Sequence, residues 1–169
     1  MPTPVGHALG ALLLTAPLRA RYRLGGAAAI AAVSAAAAAP DLDLLIGRHS
    51  AETHSVGAAA LTAVIAFGAL RGRPRARVWT ALLGAAVLSH ALLDWLGTDT
   101  SAPIGIMALW PFSREYYESD AHLFMAVSRR YWLPEFWVYN LGVLGRELLL
   151  LGIPVAAAEW WVRRRTWRN

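Results

Sequence analysis

The sequence predicts an all-α fold: a polytopic membrane helical bundle of about five apolar helices, with a long outer loop region carrying short helices. Three observations predict it. Of 169 residues, 57% are hydrophobic and only 16% are charged, a balance that favours lipid over water as the solvent. The apolar residues fall into five runs. The arginines gather in clusters at alternate connections between those runs, as multi-pass membrane proteins arrange them. A chain of this length is expected to form a single membrane-embedded helical domain over residues 1–169.

The first run, residues 4–18, follows MPT and carries His7 near its start. No basic residue precedes it and its small residues lack a clear cleavage pattern, so a removed signal peptide is not expected and His7 stays in the mature chain. The second run covers residues 24–39 and ends at Pro40. Proline disfavours helical geometry in the residue before it, so an extended turn is expected, with Asp41 and Asp43 pointing the same way. The third run, residues 56–70, is preceded by His49, Glu52 and His54. The fourth, residues 78–93, ends on His90 and Asp94. Residues 136–162 form the fifth, which contains Asn140, Arg146 and Glu147 in otherwise apolar surroundings. Neighbours in sequence diverge on a helix, so Arg146 and Glu147 are expected to pair with other elements and not with each other. A span needs roughly 17 to 25 residues, so the first and third runs are short for crossing a bilayer.

Arg19, Arg21 and Arg23 lie between runs one and two; Arg71, Arg73, Arg75 and Arg77 between three and four; Arg163, Arg164, Arg165 and Arg168 after five. If all five runs span, these clusters share one side, which the positive-inside rule makes cytoplasmic. The other connections, residues 40–55 and 95–135, then lie outside. That places His7, Asp41, Asp43, His49, His54, His90 and Asp94 together on the outer face of a cytoplasmic (inner) membrane. Trp160, Trp161 and Trp167 read as an interfacial anchor. The 95–135 segment is rich in Trp, Tyr and Phe and broken by Pro103, Pro111 and Pro134, which suits a cover over the site better than a disordered linker.

Net charge of +5 does not argue for nucleic acid, because membrane topology accounts for the basic clusters and no nucleic-acid-binding motif is present; no nucleic-acid partner is expected. With no cysteine, a metal site must use imidazole and carboxylate. His90 and Asp94 are four residues apart, on one helix face, and can share a cation or simply hydrogen-bond to each other. Two carboxylates as close as Asp41 and Asp43 repel unless a cation, a proton or arginine compensates; one of them could equally cap a helix. His54 is the better ligand candidate of its pair, since His49 also reads as a solvated loop residue. His7 reads as a ligand or a local cap. Glu52 and Asp99 are candidates for a general base or positioning group, with solvated and turn-forming alternatives. Arg48 and Arg114 are candidates for recognising an anionic head group. Such ligands suit zinc best, with manganese or iron as alternatives, and the surplus of candidates fits either two ions or one ion with supporting carboxylates.

At MPTPVGHALG, APDLDLLIGRHSAETHSVGA and SHALLDWLGTDTSAPIGIMALWPFS the chain resembles the membrane-bound metal-dependent hydrolase family of bacteria and archaea, inner-membrane-associated and LexA-regulated. The resemblance implies a polytopic membrane protein with metal held by His7, Asp41, Asp43, His54, His90 and Asp94. The functional expectation is a metal-dependent membrane hydrolase. It would act through a metal-activated water on a phosphoester or ester of a lipid or lipid-linked substrate, with membrane lipid as its surroundings. The alternative is a divalent-metal carrier or sensor without hydrolytic activity.

Overall fold

The computed structural model describes residues 1–47 and 49–167, and among these the regular structure is helical throughout. Helix α1 spans Pro4–Arg21. It starts where the Thr3 side chain accepts the Gly6 N–H at 3.1 Å, with Pro4 in the first turn, where its missing donor costs nothing. Helix α2 (Ala27–Ala38) does not stop at Pro40. It tightens into a 3-10 helix over Ala39–Ile46, ended by Gly47 in the left-handed region at φ 71°. The extended turn expected after Pro40 is therefore corrected. Proline is tolerated in the first turn of a new helical segment, and that is where Pro40 sits.

Ser55 caps α3 (Val56–Leu70) by accepting Ala58 N–H at 3.0 Å, and α4 runs Ala76–Trp95. The last helix, α5, spans Phe136–Trp167 with a π-helical turn at Leu148–Gly152. Three stretches are long and apolar enough to cross a membrane: Ala27–Ile46, Ala76–Trp95 and Phe136–Trp167; α3 is apolar but shorter.

Helix α4 is the hub, packed against α1, α2 and α3, while α1 also packs on α2 and on the second half of α5. Ala11, Leu12, Val33, Ala37, Leu82, Ala86 and Val155 form the shared core. Alanine on three of these helices lets backbones approach closely, the means by which apolar helices associate where lipid removes the usual hydrophobic drive. Large apolar side chains such as Val64, Ile65, Leu149 and Ile153 point outward instead, as expected of surfaces facing hydrocarbon.

Consecutive helices reverse direction, which sorts the chain ends of the bundle into two poles. At one, Arg75 donates to the Tyr22 carbonyl at 3.1 Å and Gly25 lies against Val162 and Thr166, so the three arginine clusters meet. At the other lie the start of α1, the end of α2, the start of α3 and the end of α4. The 96–135 segment covers this second pole. It is pinned there by Met107 N–H to Ser50 O (3.0 Å), Val56 N–H to Ala108 O (2.9 Å) and Gly57 N–H to Trp110 O (2.9 Å).

In place of the short helices expected in this cover, the described residues form turns and two isolated bridges, Gly97 with Phe124 and Ile106 with Tyr117. The reason is local. Prolines remove donors, and side chains take the backbone groups a helix would pair: Asp99 accepts from Ser101 and Gly105, and Glu118 accepts from Asp99 N–H.

Candidate metal centre

His90 sits in the last turns of α4, where its Nδ1 lies 2.7 Å from the Ala37 carbonyl at the end of α2. A carbonyl only accepts, so Nδ1 carries the proton and, in the neutral ring, Nε2 keeps its lone pair. That lone pair faces Asp94 Oδ2 at 3.0 Å, His54 Nδ1 at 2.9 Å and Asp41 Oδ1 at 3.8 Å. An imidazole oriented by a carbonyl with its free nitrogen among other ligand atoms is the usual posture of a metal-binding histidine.

The other side chains close around it. Asp94 Oδ2 is 2.6 Å from His54 Nδ1, and Asp94 Oδ1 is 3.4 Å from His7 Nε2. The His7 and His90 rings stack at 3.7 Å between centroids. His7, His54 and His90 are fully buried, and Asp94 is buried with them. Among the described residues, buried side-chain atoms without a well-formed hydrogen bond concentrate in this cluster, at both His7 nitrogens and Asp94 Oδ1. Native interiors rarely leave such groups unpaired.

The 3-10 helix explains why Asp41 and Asp43 serve different partners. At three residues per turn, positions two apart point to different sides. Asp41, half-buried, looks toward His90. Asp43, buried, accepts from Thr53 Oγ1 at 2.5 Å and lies 2.9 Å from His49 Nδ1 and 3.1 Å from His54 Nε2. His49 meets the His54 ring edge-on at 4.8 Å. Burial opposes charge on His54, but hydrogen bonds to Asp43 and Asp94 outweigh it and raise the imidazole to about 9.

Three overlapping groups can each offer ligand atoms within 4.8 Å of one another: His7, Asp41 and His90; His54, His90 and Asp94; and Asp41, His49 and His54. Their chemistry fits a divalent cation. Asp41, Asp43 and Asp94 bring three carboxylates against the His7, His49, His54 and His90 rings, and the His90 Nε2 lone pair stands among carboxylate oxygens with its own proton committed to the Ala37 carbonyl. Imidazole and carboxylate in this mixture suit zinc, while manganese and iron accept the same atoms. The overlap accommodates one ion or two.

All six sequence-predicted ligands therefore come together. The remaining candidates are placed differently. Glu52 is half-buried in the turn before His54, its carbonyl accepting Ser55 Oγ at 2.5 Å. The Asp99 carboxylate is engaged by the backbone of its own loop, yet Asp99 also walls cavities beside Asp41 and His49. Arg114 is exposed on the cover and lines none of the three cavities next to the site; Arg48 lies outside the described residues.

His49, which also reads in the sequence as a solvated loop residue, lies against Asp43, and Arg129, in the cover, reaches the cavities next to it. The proximity of His49 to Asp43, six residues earlier, is the available signal. Glu147, fully buried, accepts Thr3 N–H at 2.6 Å and the Thr3 hydroxyl, fastening the start of α1 one turn before His7. Arg146 instead donates to the Leu123 carbonyl at 2.9 Å, so the two neighbours do serve separate elements.

The family model for the YdjM inner membrane protein matches residues 1–165, and the chain belongs to that family. No curated protein and no solved structure matches it. Membership makes this an inner membrane protein, in agreement with the apolar helices and with that half of the resemblance seen in the sequence.

Proposed function

We propose that this YdjM-family protein is a metal-dependent hydrolase of the inner membrane, cleaving a phosphoester or ester of a lipid or lipid-linked molecule. The observation that carries the reading is the buried set His54, His90 and Asp94, with His7 and Asp41 beside it, whose ligand atoms converge within 4.8 Å of one another in each group. His7, His54, His90 and Asp94 would hold the cation directly, and Asp41 and Asp43 would bind it or bridge to a second one. The ion would supply Lewis acidity and lower the pKa of water. Overall, water adds across a P–O or acyl C–O bond and an acid and an alcohol leave, so no redox partner is needed.

The chain's own groups would do the rest. Asp43 and Asp94 hold the His54 ring, the Ala37 carbonyl fixes the His90 tautomer, and the 96–135 cover excludes bulk water. Glu52 and Asp99 remain the candidate proton acceptor and positioning group. The meeting of the arginine clusters at the opposite pole supports an outer-face site through the positive-inside rule. Because the chain has no cysteine, a single cysteine introduced at Ser113 reports this directly. Labelling of intact spheroplasts by an impermeant maleimide is expected, and labelling only after lysis would invert the topology.

A carrier needs ionisable groups along a path through the bilayer. Glu147, the strongest such candidate in the sequence, is bound to Thr3 at the same pole, which weakens the carrier reading. Elemental analysis of purified protein should find zinc, manganese or iron in the wild type and its loss in Asp94→Ala, together with loss of lipid-ester hydrolysis. Metal uptake into proteoliposomes with no hydrolysis of any lipid ester would favour the carrier.

A further inference from the structure

Beside the metal centre the structure holds three cavities that share Ser101 and Arg129 as walls. The smallest, about 130 Å³, is bounded by Asp41 and His49, ligand candidates of the centre itself. Another, about 340 Å³, lies between Gly47, His49, Ser50 and Ala51 on one side and Asp99 on the other. The largest, about 550 Å³, extends from Arg129 and Arg130 to Leu133, Phe136 and Tyr139 at the start of α5. That volume suits a small organic ligand. The lining changes along the way, from carboxylates and imidazoles, through arginine, to apolar and aromatic side chains.

The apolar end lies where lipid meets water. Helix α5 is one of the candidate spans and begins at Phe136, so its first turn stands at the end of a candidate span on the side of the metal centre. Tyr131, Trp132 and Trp137 are all strongly exposed around that turn, the placement of an aromatic belt at head-group level. Among the described residues no carboxylate is paired with Arg129 or Arg130, and Glu135 is the one acidic side chain in the largest cavity. An anion at Arg129 would stand between that guanidinium and the cation-binding carboxylates.

Resting on the hydrolase reading above, we infer that the substrate is an amphiphile with a phosphate head and a hydrocarbon chain. Arg129 receives the phosphate beside His49 and Asp41, and the chain runs past Leu133, Phe136 and Tyr139 into the outer part of the bilayer. This assigns head-group recognition to Arg129 and not to Arg114. A guanidinium forks onto phosphate oxygens, a geometry that lysine or a neutral donor reproduces poorly.

The test uses full-length protein loaded with zinc in a zwitterionic detergent and a phosphonate analogue of phosphatidic acid, which cannot be hydrolysed. Native mass spectrometry then counts bound lipid. Wild type should retain the phosphonate lipid over phosphatidylcholine, and Arg129→Gln should weaken retention by about tenfold, the worth of one charge-assisted hydrogen bond. Leu133→Trp should weaken it while leaving inorganic phosphate binding unchanged, and Arg114→Gln should match wild type.

Retention by Arg129→Gln equal to wild type, or inorganic phosphate bound as tightly as the lipid, overturns the inference. Zinc content and hydrolysis of the same preparations separate it from the reading it rests on. Arg129-dependent lipid binding in protein that takes up no zinc keeps the lipid site and discards the hydrolase, and with it the lipid's role as substrate; active zinc protein indifferent to Arg129→Gln discards the inference alone.

Discussion

At the arginine pole, Arg19 lies fully buried with a partner for each nitrogen: Thr15 Oγ1 at 3.2 Å, the Leu12 carbonyl at 2.9 Å, and the Glu159 carboxylate. At the opposite pole, His7, His54, His90 and Asp94 are as deeply buried, but nitrogen lone pairs and carboxylate oxygens confront one another and several atoms have no partner. Both poles sink charge into an apolar bundle. One is closed by the chain alone, and the other leaves acceptor atoms that a cation could join. Burial by itself therefore does not mark a candidate metal site; the balance of donors and acceptors does.

The largest effect expected from breaking this contrast is at Asp94. It touches three histidines, so Asp94→Ala should lower metal affinity by at least the roughly 100-fold seen when an orienting partner is lost. Zinc titration with a competing chelator measures it. The arginine pole should respond in stability alone. Glu159→Ala strands a buried guanidinium and should cost about 2–3 kcal/mol, less than a fully buried pair because Glu159 is partly exposed. The double variant Arg19→Met with Glu159→Leu should recover most of that loss. Unfolding midpoints and zinc content, measured on the same samples, should move independently; a loss of zinc in Glu159→Ala would show the two poles to be coupled.

Much of this contrast is legible in the sequence. Helix-end placement brings His7, His54, His90 and Asp94 together because apolar runs of similar length return the chain to the same face. The arginine clusters supply an independent polarity. What escapes depends on local geometry or on distant partners. Asp41 and Asp43 diverge because Pro40 starts a 3-10 helix, and the propensity of a proline does not tell a stop from a restart. Arg19 reads as one more cytoplasmic charge, since its partner Glu159 is 140 residues away. The cover lacks helices because Asp99 and Glu118 side chains take its backbone donors, a choice made by tertiary packing. The contact of His49 with Asp43 escapes for the same reason, since it depends on how Asp43 is turned.

Acidity provides a milder probe of the acceptor-rich pole. His54 is raised to about 9 from an ordinary 6.5, so in metal-free protein its proton stabilises the fold fully below pH 6.5, and that contribution is lost as pH rises through about 9. A metal must displace the same proton. Apparent zinc affinity should therefore climb by about tenfold per pH unit between about 6.5 and 9 and level off above, as one proton is released per ion bound. Titration calorimetry in buffers of different ionisation enthalpy counts that proton, and a pH-independent affinity would remove His54 from the ligand set.

The smallest effect lies at the edge of the site, where packing and not charge sets His7. A Cβ on Gly6 would stand 2.7 Å from Glu147 Oε2, and that carboxylate cannot swing away without releasing Thr3. Gly6→Ala should therefore cost about 1 kcal/mol through overpacking. It should also weaken zinc binding a few-fold, because the turn it disturbs is the one that delivers His7. Gly145 lies on the same helix as Glu147, and a Cβ added to it would meet nothing within 4 Å, so Gly145→Ala should leave both unchanged or raise stability slightly through helix propensity. If Gly6→Ala lowers the unfolding midpoint but leaves zinc affinity at the wild-type value, the Thr3 and Glu147 contact serves the fold alone, and His7 reaches the metal without its help.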